Sequence, residues 1–356
     1  MKILVLPLEK SNPYQDLLYG AMRPHGVQIS YLARLTPSKT VNILLLPAEM
    51  AVRRLGGARV VHLHWVWAFG LDISSRSRLV TRATEVWFVI WLWTLRLLGM
   101  RLVWTAHNVL PLTPVFTNDL RARRRLVARC DLVIAHSKAT LEQLAARLGI
   151  VPRRSVIIPH GPFASPVDLA SLRTPGDGQG ARRFLFFGKI RPYKGIDTLL
   201  AAFAAMPPDL NVRLTVAGEC SDGQVRAQLA EFAERSGGRV TLQLERVPET
   251  QLAELLQQAD AMVLPYKQIT TSGSGMLGLG HGRPLVVPDV PELAELPDDA
   301  VLRYDGTVQG LTDALTSIAQ TDAAVLAKMS AAALDYCAAA GWSEIGEKTF
   351  KAMSEI

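Results

Sequence analysis

Short apolar runs, rich in Val, Ile and Leu, alternate with helical patterns along all 356 residues, and this alternation constrains the fold more than any other feature. In the first half the runs are Lys2–Leu6, Val27–Tyr31, Val60–Leu63, Leu102–Thr105, Leu132–Ala135 and Val156–Ile158. The pattern restarts with Arg183–Gly188, Val212–Gly218, Val240–Glu245, Ala261–Pro265, Leu285–Pro288 and Val301–Arg303, with helices such as Gln224–Arg235 and Thr250–Gln258 between them. Near-continuous apolar strands separated by helices are the signature of parallel sheets covered on both faces. The expectation is therefore an α/β protein with two parallel sheets wound in series and a ligand cleft between the domains. Pro, Gly and Ser concentrate in 160–181, which reads as a linker. The domains expected are 1–163, a linker over 164–181, 182–340, and a C-terminal helix over 341–356 packing back on the first domain.

Cys130, Cys220 and Cys337 are too far apart for a disulfide framework or a Cys-x-x-Cys metal site, which favours a reducing cytosol. Met1–Pro7 reads as a buried strand rather than a signal peptide. The membrane-like stretch Val86–Leu95 is closed by Glu85 and Arg96. Its ten residues fall short of the roughly 20 a bilayer span needs. The net charge of +7 hides a division: residues 1–165 carry 22 Lys and Arg against 8 Asp and Glu, whereas 166–356 carry 17 against 24. The first half should meet something anionic. Two segments concentrate the charge: Trp87, Trp91 and Trp93 flanked by Arg76, Arg78, Arg82, Arg96 and Arg101, and a helix with Arg121, Arg123, Arg124, Arg125 and Arg129. Trp beside Arg suits a headgroup layer and points to peripheral membrane contact on the cytoplasmic face. Neither segment sits in a nucleic-acid-binding motif.

Two segments carry chemistry. Phe187–Gly195 runs from a strand end into a helix over Ile196–Ala205 and brings Lys189, Arg191 and Lys194 to the mouth of the sheet. A cationic strand-to-helix turn suits a diphosphate. The second segment is 270–282, with Ser272, Gly273, Ser274 and Gly275 opening a helix. Each helical Gly costs about 1 kcal/mol relative to Ala, so such a run implies close packing on the sheet or a backbone that approaches a phosphate. Gly273-x-Gly275-x-x-Gly278 also matches the dinucleotide fingerprint, but it follows the fourth strand of its domain and not the first, a weak signal for a dehydrogenase.

The order of FFGKIRPYKGIDTLLAAF (186–203), LTVAGE (214–219), ADAMVLPY (259–266), SGSGMLGLGHGRPLVVP (272–288), WTAHNVLP and CDLVIAHS resembles the GT-B glycosyltransferases of the family 4-like kind. NPYQDLLYGAM (12–22) and VHLHW (61–65) are similar to the branch of bacterial exopolysaccharide, xanthan-type β-mannosyltransferases. The resemblance implies two Rossmann-like domains facing a central cleft. The second would hold a nucleoside-diphosphate sugar, GDP-mannose favoured and a UDP-sugar the alternative. The first would hold a lipid-linked or other glycan acceptor. Lys194 matches the diphosphate lysine, with Lys189 or Arg191 as its partner. His107 matches the histidine of the transfer centre, and Tyr266 lies at the cleft. Retaining members carry two glutamates where this chain has Ile269 and Leu277. Glu249 or Glu219 would have to grip the nucleoside instead, and inversion is favoured over retention.

Inversion requires a general base near the acceptor hydroxyl. Strand ends of the first domain supply Glu9, His64, Asp72 and His107. Trp65 and Asn108 follow directly, and Asn12 precedes Pro13 at a helix start, a cap as readily as an acceptor contact. No Asp-x-Asp triplet occurs, so neither a metal nor a resident cofactor is expected. The alternatives are a sugar-nucleotide epimerase, which would need no basic acceptor face, and a two-lobed small-ligand binding protein.

Overall fold

The computed structural model describes residues 1–10, 12–71, 77–111, 114–163, 180–269 and 271–356. It divides into two compact units, Met1–His160 with Trp342–Ile356, and Gly161–Gly341.

The first unit runs β1 (Lys2–Leu6), α1 (Tyr14–Met22), β2 (Gln28–Tyr31), α2 (Lys39–Leu55), β3 (Val60–Leu63), α3 (Arg78–Leu97), β4 (Arg101–Thr105), α4 (Asp119–Arg129), β5 (Leu132–Ala135), α5 (Lys138–Leu148) and β6 (Ser155–Ile157). Its six strands are parallel, in the order β2-β1-β3-β4-β5-β6. β3 is buried at every position and so is β5, which is why, apart from His62, their sequences are apolar without alternation. The order reverses at β1/β3, the point where open α/β sheets leave a crevice beyond their carboxyl ends.

The second unit runs β7 (Arg182–Phe187), α6 (Ile196–Ala205), β8 (Val212–Ala217), α7 (Gly223–Arg235), β9 (Val240–Gln243), α8 (Glu249–Gln258), β10 (Ala261–Val263), α9 (Gly273–Gly280), β11 (Leu285–Pro288), β12 (Val301–Tyr304), α10 (Val308–Gln320) and α11 (Ala323–Ala339). Its parallel order is β12-β11-β10-β7-β8-β9, with the reversal at β10/β7.

The last helix, α12 (Trp342–Ser354), belongs to the first unit and packs on α1. The helices approach closely at Gly346, where an added Cβ would come within 2.7 Å of the Ala21 methyl. The rings of Trp342 and Tyr14 meet edge to face at 5.3 Å. The stretch Ala323–Ser354 is apolar enough for a membrane span, with mean hydropathy 1.3, although the sequence did not single it out. It is two helices, α11 in one unit and α12 in the other, interrupted at Ala340–Gly341.

The Trp-rich stretch forms much of α3 and divides by face. Trp91 is fully buried, Trp87 donates its indole N–H to the Ile43 carbonyl at 2.8 Å, and Trp93 is 59% exposed. Most of the arginines on α4 have partners within the unit, although Arg121, Arg124 and Arg125 stay exposed. Arg123 is buried over the Trp104 ring, and burial lowers its pKa to about 10. Arg121 pairs with Glu85 at 3.4 Å, Arg124 donates to the Leu148 carbonyl, and Arg129 pairs with Asp131.

Candidate functional site

In the second unit, the carboxyl ends of β10, β7 and β8 are neighbours at the order reversal, and each delivers part of a polar cluster. After β7, Gly188 adopts φ +139°, and the chain turns through Lys189, Arg191 and Lys194. A Cβ at Gly188 would lie 3.0 Å from Lys194 Nζ and 3.1 Å from Ser274 Oγ. The cationic turn and the opening of α9 therefore converge on one point of backbone that only glycine leaves open. Gly195, at φ +71°, lets the turn press on the Pro265 carbonyl so closely that a Cβ would sit 1.8 Å from its oxygen. Backbone bonds from Lys267 and Gln268 to the Tyr193 carbonyl stitch the two loops together.

Around this point Lys194 Nζ stands 4.9 Å from the Tyr266 ring centroid. The Tyr266 hydroxyl and Ser272 Oγ are 2.7 Å apart, and Ser272 Oγ caps α9 by accepting from the Gly275 amide at 2.9 Å. The uncapped amides of the first turn and the helix dipole favour an anion there. Arg191 donates to Ser221 Oγ at 2.7 Å, and Lys189 meets Glu219 at 3.9 Å as an exposed pair of little energetic weight. Glu249 is exposed on the first turn of α8. Ile269 and Leu277, at the positions of the retaining glutamates, pack against the core. Two residues escaped the sequence reading. The Thr271 hydroxyl oxygen is buried without a hydrogen-bond partner, the kind of group a bound polar ligand satisfies. The Phe163 ring covers Gly273, where a Cβ would be 2.7 Å from Cε2.

In the first unit, a chain of imidazoles fills the carboxyl ends of β3 to β6. His62 Nε2 and Thr105 Oγ1 are 2.7 Å apart; the Tyr19 hydroxyl lies 2.7 Å from His62 Nδ1 and 2.8 Å from His64 Nε2. His64 Nδ1 meets His107 Nε2 at 3.1 Å, His107 Nδ1 meets His136 Nε2 at 3.3 Å, and His136 Nδ1 meets the Ile158 carbonyl at 2.9 Å. Tyr14 stands against His64, His107, His136 and His160. Burial holds His62 down to about 3 and His136 to about 4, and with the neighbouring rings it holds His64 and His107 well below the usual histidine range. Both nitrogens of His64 and of His107 are thus engaged, so neither offers the lone pair that the expected base role needs. The sequence signal for His62, His136 and His160 was their place in or just after successive strands, as for His64 and His107.

Trp65 stacks on His107 at 4.6 Å and on Trp67 at 6.5 Å, and Trp67 is 42% exposed. Asn108 follows His107, half-buried. Asn12 Oδ1 accepts from the Tyr14 amide at 2.9 Å, so it caps α1. Glu9 follows β1, its amide held by Gln15 Oε1 at 2.9 Å. Asp72 lies outside the described residues. Beside Trp67, a cavity of about 310 Å³ is lined by apolar side chains, among them Leu8 and Ile43, and by Lys10, Arg34 and Lys39. Among the described residues no group of three or more His, Cys, Asp or Glu side chains could hold a metal ion.

Two parallel sheets in series, each with polar residues gathered at the carboxyl ends of its strands, define the two-domain GT-B class. Sucrose-phosphate synthase from Thermosynechococcus elongatus shares this fold with a TM-score of 0.73, at 16% identity over 99% of this chain and 98% of that one. Anabaena HepE in complex with UDP does so at 0.70, with 19% identity over the whole of both chains. The chain belongs to the GT-B glycosyltransferases of family 4, matching the Glycosyltransferase Family 4 model over residues 15–162 and Glycosyl transferases group 1 over 181–321. A GDP-mannose:glycolipid 4-beta-D-mannosyltransferase of Xanthomonas campestris is 28% identical over 84% of this chain and 77% of its own length. A D-inositol 3-phosphate glycosyltransferase of Kribbella flavida is 27% identical over 86% and 73%.

Proposed function

We propose that this glycosyltransferase moves a hexose, with mannose from GDP-mannose the favoured donor, to a lipid-linked glycan, with inversion and without a metal ion. The observation that carries this reading is the convergence of Lys194, Ser274 and the first turn of α9 on Gly188. As the glycosidic bond to the donor breaks, negative charge gathers on the departing diphosphate. Lys194, Arg191 and the uncapped amides of Gly273 and Ser274 would stabilise that charge electrostatically. Apolar Ile269 and Leu277, in place of paired carboxylates, favour direct displacement. Glu9 is the base assigned to the acceptor hydroxyl, because a carboxylate has about four acceptor positions whereas both nitrogens of His64 and His107 are committed.

The acceptor is read as lipid-linked from the relative that acts on a glycolipid and from the first unit's surface. The cavity with Lys10, Arg34 and Lys39 suits an anionic linkage, and Trp65 and Trp67 offer sugar-stacking faces. Next to it, α2 and α3 expose apolar stripes that fit peripheral contact with the inner face of a membrane. Thermal unfolding with GDP, UDP and dTDP tests the donor assignment. A bound nucleotide at 100 times its Kd stabilises by about 2.7 kcal/mol. GDP should raise Tm in the native chain and clearly less in Lys194→Ala, whose affinity should fall at least about tenfold as one charge-assisted contact is lost, which removes about half of that stabilisation. If none of the three nucleotides shifts Tm, the reading is wrong.

A further inference from the structure

The imidazole chain of the first unit has a direction, and one backbone atom sets it. A carbonyl oxygen can only accept a hydrogen bond, so the ring nitrogen facing Ile158 O, His136 Nδ1, carries the proton. Burial keeps these rings neutral at physiological pH, and a neutral imidazole has one N–H and one lone pair. His136 Nε2 must then accept, which makes His107 Nδ1 a donor. His107 Nε2 must accept from His64 Nδ1, and His64 Nε2 from the Tyr19 hydroxyl. The Tyr19 oxygen in turn accepts from His62 Nδ1, and His62 Nε2 accepts from Thr105. Each link follows from the one before it, and reversing any of them places two protons or two lone pairs face to face.

We infer that His62, His64, His107 and His136 are locked in one tautomer, Nδ1–H, by the Ile158 carbonyl, and that Tyr19, His62 and His136 are positioning residues which fix the orientation of His107. His107 in turn backs Trp65, whose ring lies nearly parallel to it at 17°. The array moves no proton during transfer: one end stops at a carbonyl, and the other at Thr105, which is fully buried. It is a rigid support for the stacking face on which the proposed function would seat the acceptor sugar; the role of that face rests on that reading, whereas the tautomer register does not.

Long-range proton–nitrogen NMR correlation on the full chain with ¹⁵N-labelled histidine reads the tautomer of each ring directly. The expected result at neutral pH is Nδ1–H for all four. Tyr19→Phe should act on one side only. His64, His107 and His136, still tied to Ile158, keep their tautomer, while His62 loses its acceptor and populates both. His136→Phe should instead release His107, His64 and, through Tyr19, His62. In Tyr19→Phe the KM for a glycan acceptor should rise about fivefold, the loss of one hydrogen bond's worth of positioning, with the pH profile of kcat unchanged. An Nε2–H or cationic His107 in the unaltered chain, or a changed His107 tautomer in Tyr19→Phe, would overturn the inference. The unaltered chain decides the matter even if a variant does not fold. An Nδ1–H register in a chain that transfers from no nucleotide sugar would refute the proposed function alone.

Discussion

Gly188 and the four linked histidines show what a single residue contributes here. At Gly188 the requirement is absence: φ +139° strains any side chain, and a Cβ would crowd Lys194 Nζ and Ser274 Oγ. Lys194 stood out in the sequence because a cationic turn between a strand and a helix suits a diphosphate, whereas the demand on Gly188 itself emerged only from the packing. The histidines did not stand out as a set, because Tyr19 is 43 residues from His62 and His107 is 29 from His136; only the sheet brings them together. Their burial has a measurable consequence. Unfolded histidine takes a proton near 6.5, while His136 resists to about 4 and His62 to about 3. Between those limits the unfolded chain binds more protons than the folded one. Stability is therefore complete above about pH 6.5 and falls as the pH drops, by about 1.4 kcal/mol per pH unit for each such ring. Unfolding in urea from pH 7 to 5 should show this slope, and His62→Gln should make it shallower. An unchanged slope would mean that His62 already binds a proton in the folded chain.

At the scale of elements, α3 exposes Leu79, Val86, Ile90, Trp93 and Leu97 at helical spacing, and α2 exposes Val41, Leu44, Leu45, Val52 and Leu55 in the same way. Both helices also bury their opposite faces, with Phe88, Trp91 and Leu95 inward on α3 and Ile43, Leu46 and Met50 inward on α2. The Trp-rich composition pointed to membrane contact on α3, but which of its residues face outward, and the stripe on α2, emerged only with the packing. Arg78, Arg82 and Arg96 are exposed on α3, so attraction to anionic lipid should join the apolar contact. The chain should sediment with anionic vesicles at low salt, less so at high salt, and Trp93→Ser with Leu97→Ser should reduce the bound fraction several-fold. Equal sedimentation of native and variant chains would place the contact elsewhere. Strands were legible more closely than helix faces: β1, β3, β5 and β11 have the ends their apolar runs suggest, and β2 begins one residue later. Continuous Val, Ile and Leu runs have few alternative readings.

Over the whole molecule, the second unit gathers its polar residues at its order reversal, β10/β7, whereas the histidines of the first unit run from its reversal at β1/β3 outward across β4, β5 and β6. The sequence could indicate two α/β layouts, but not that the reversal falls at the first strand of each, because strand order follows from crossovers rather than from local pattern. The first unit is also discontinuous along the chain, completed by α12 against α1. The fit at Gly346 tolerates no side chain, so Gly346→Val should force the helices apart and lower the unfolding free energy by about 1–3 kcal/mol. Calorimetry checks this, and a variant as stable as the native chain would show that α12 contributes little. The placement of α12 also bears on synthesis. A ribosome releases Trp342–Ser354 only after every residue of the second unit, so the nascent first unit must wait, with the α1 surface around Tyr14 and Ala21 uncovered, until that unit has been made.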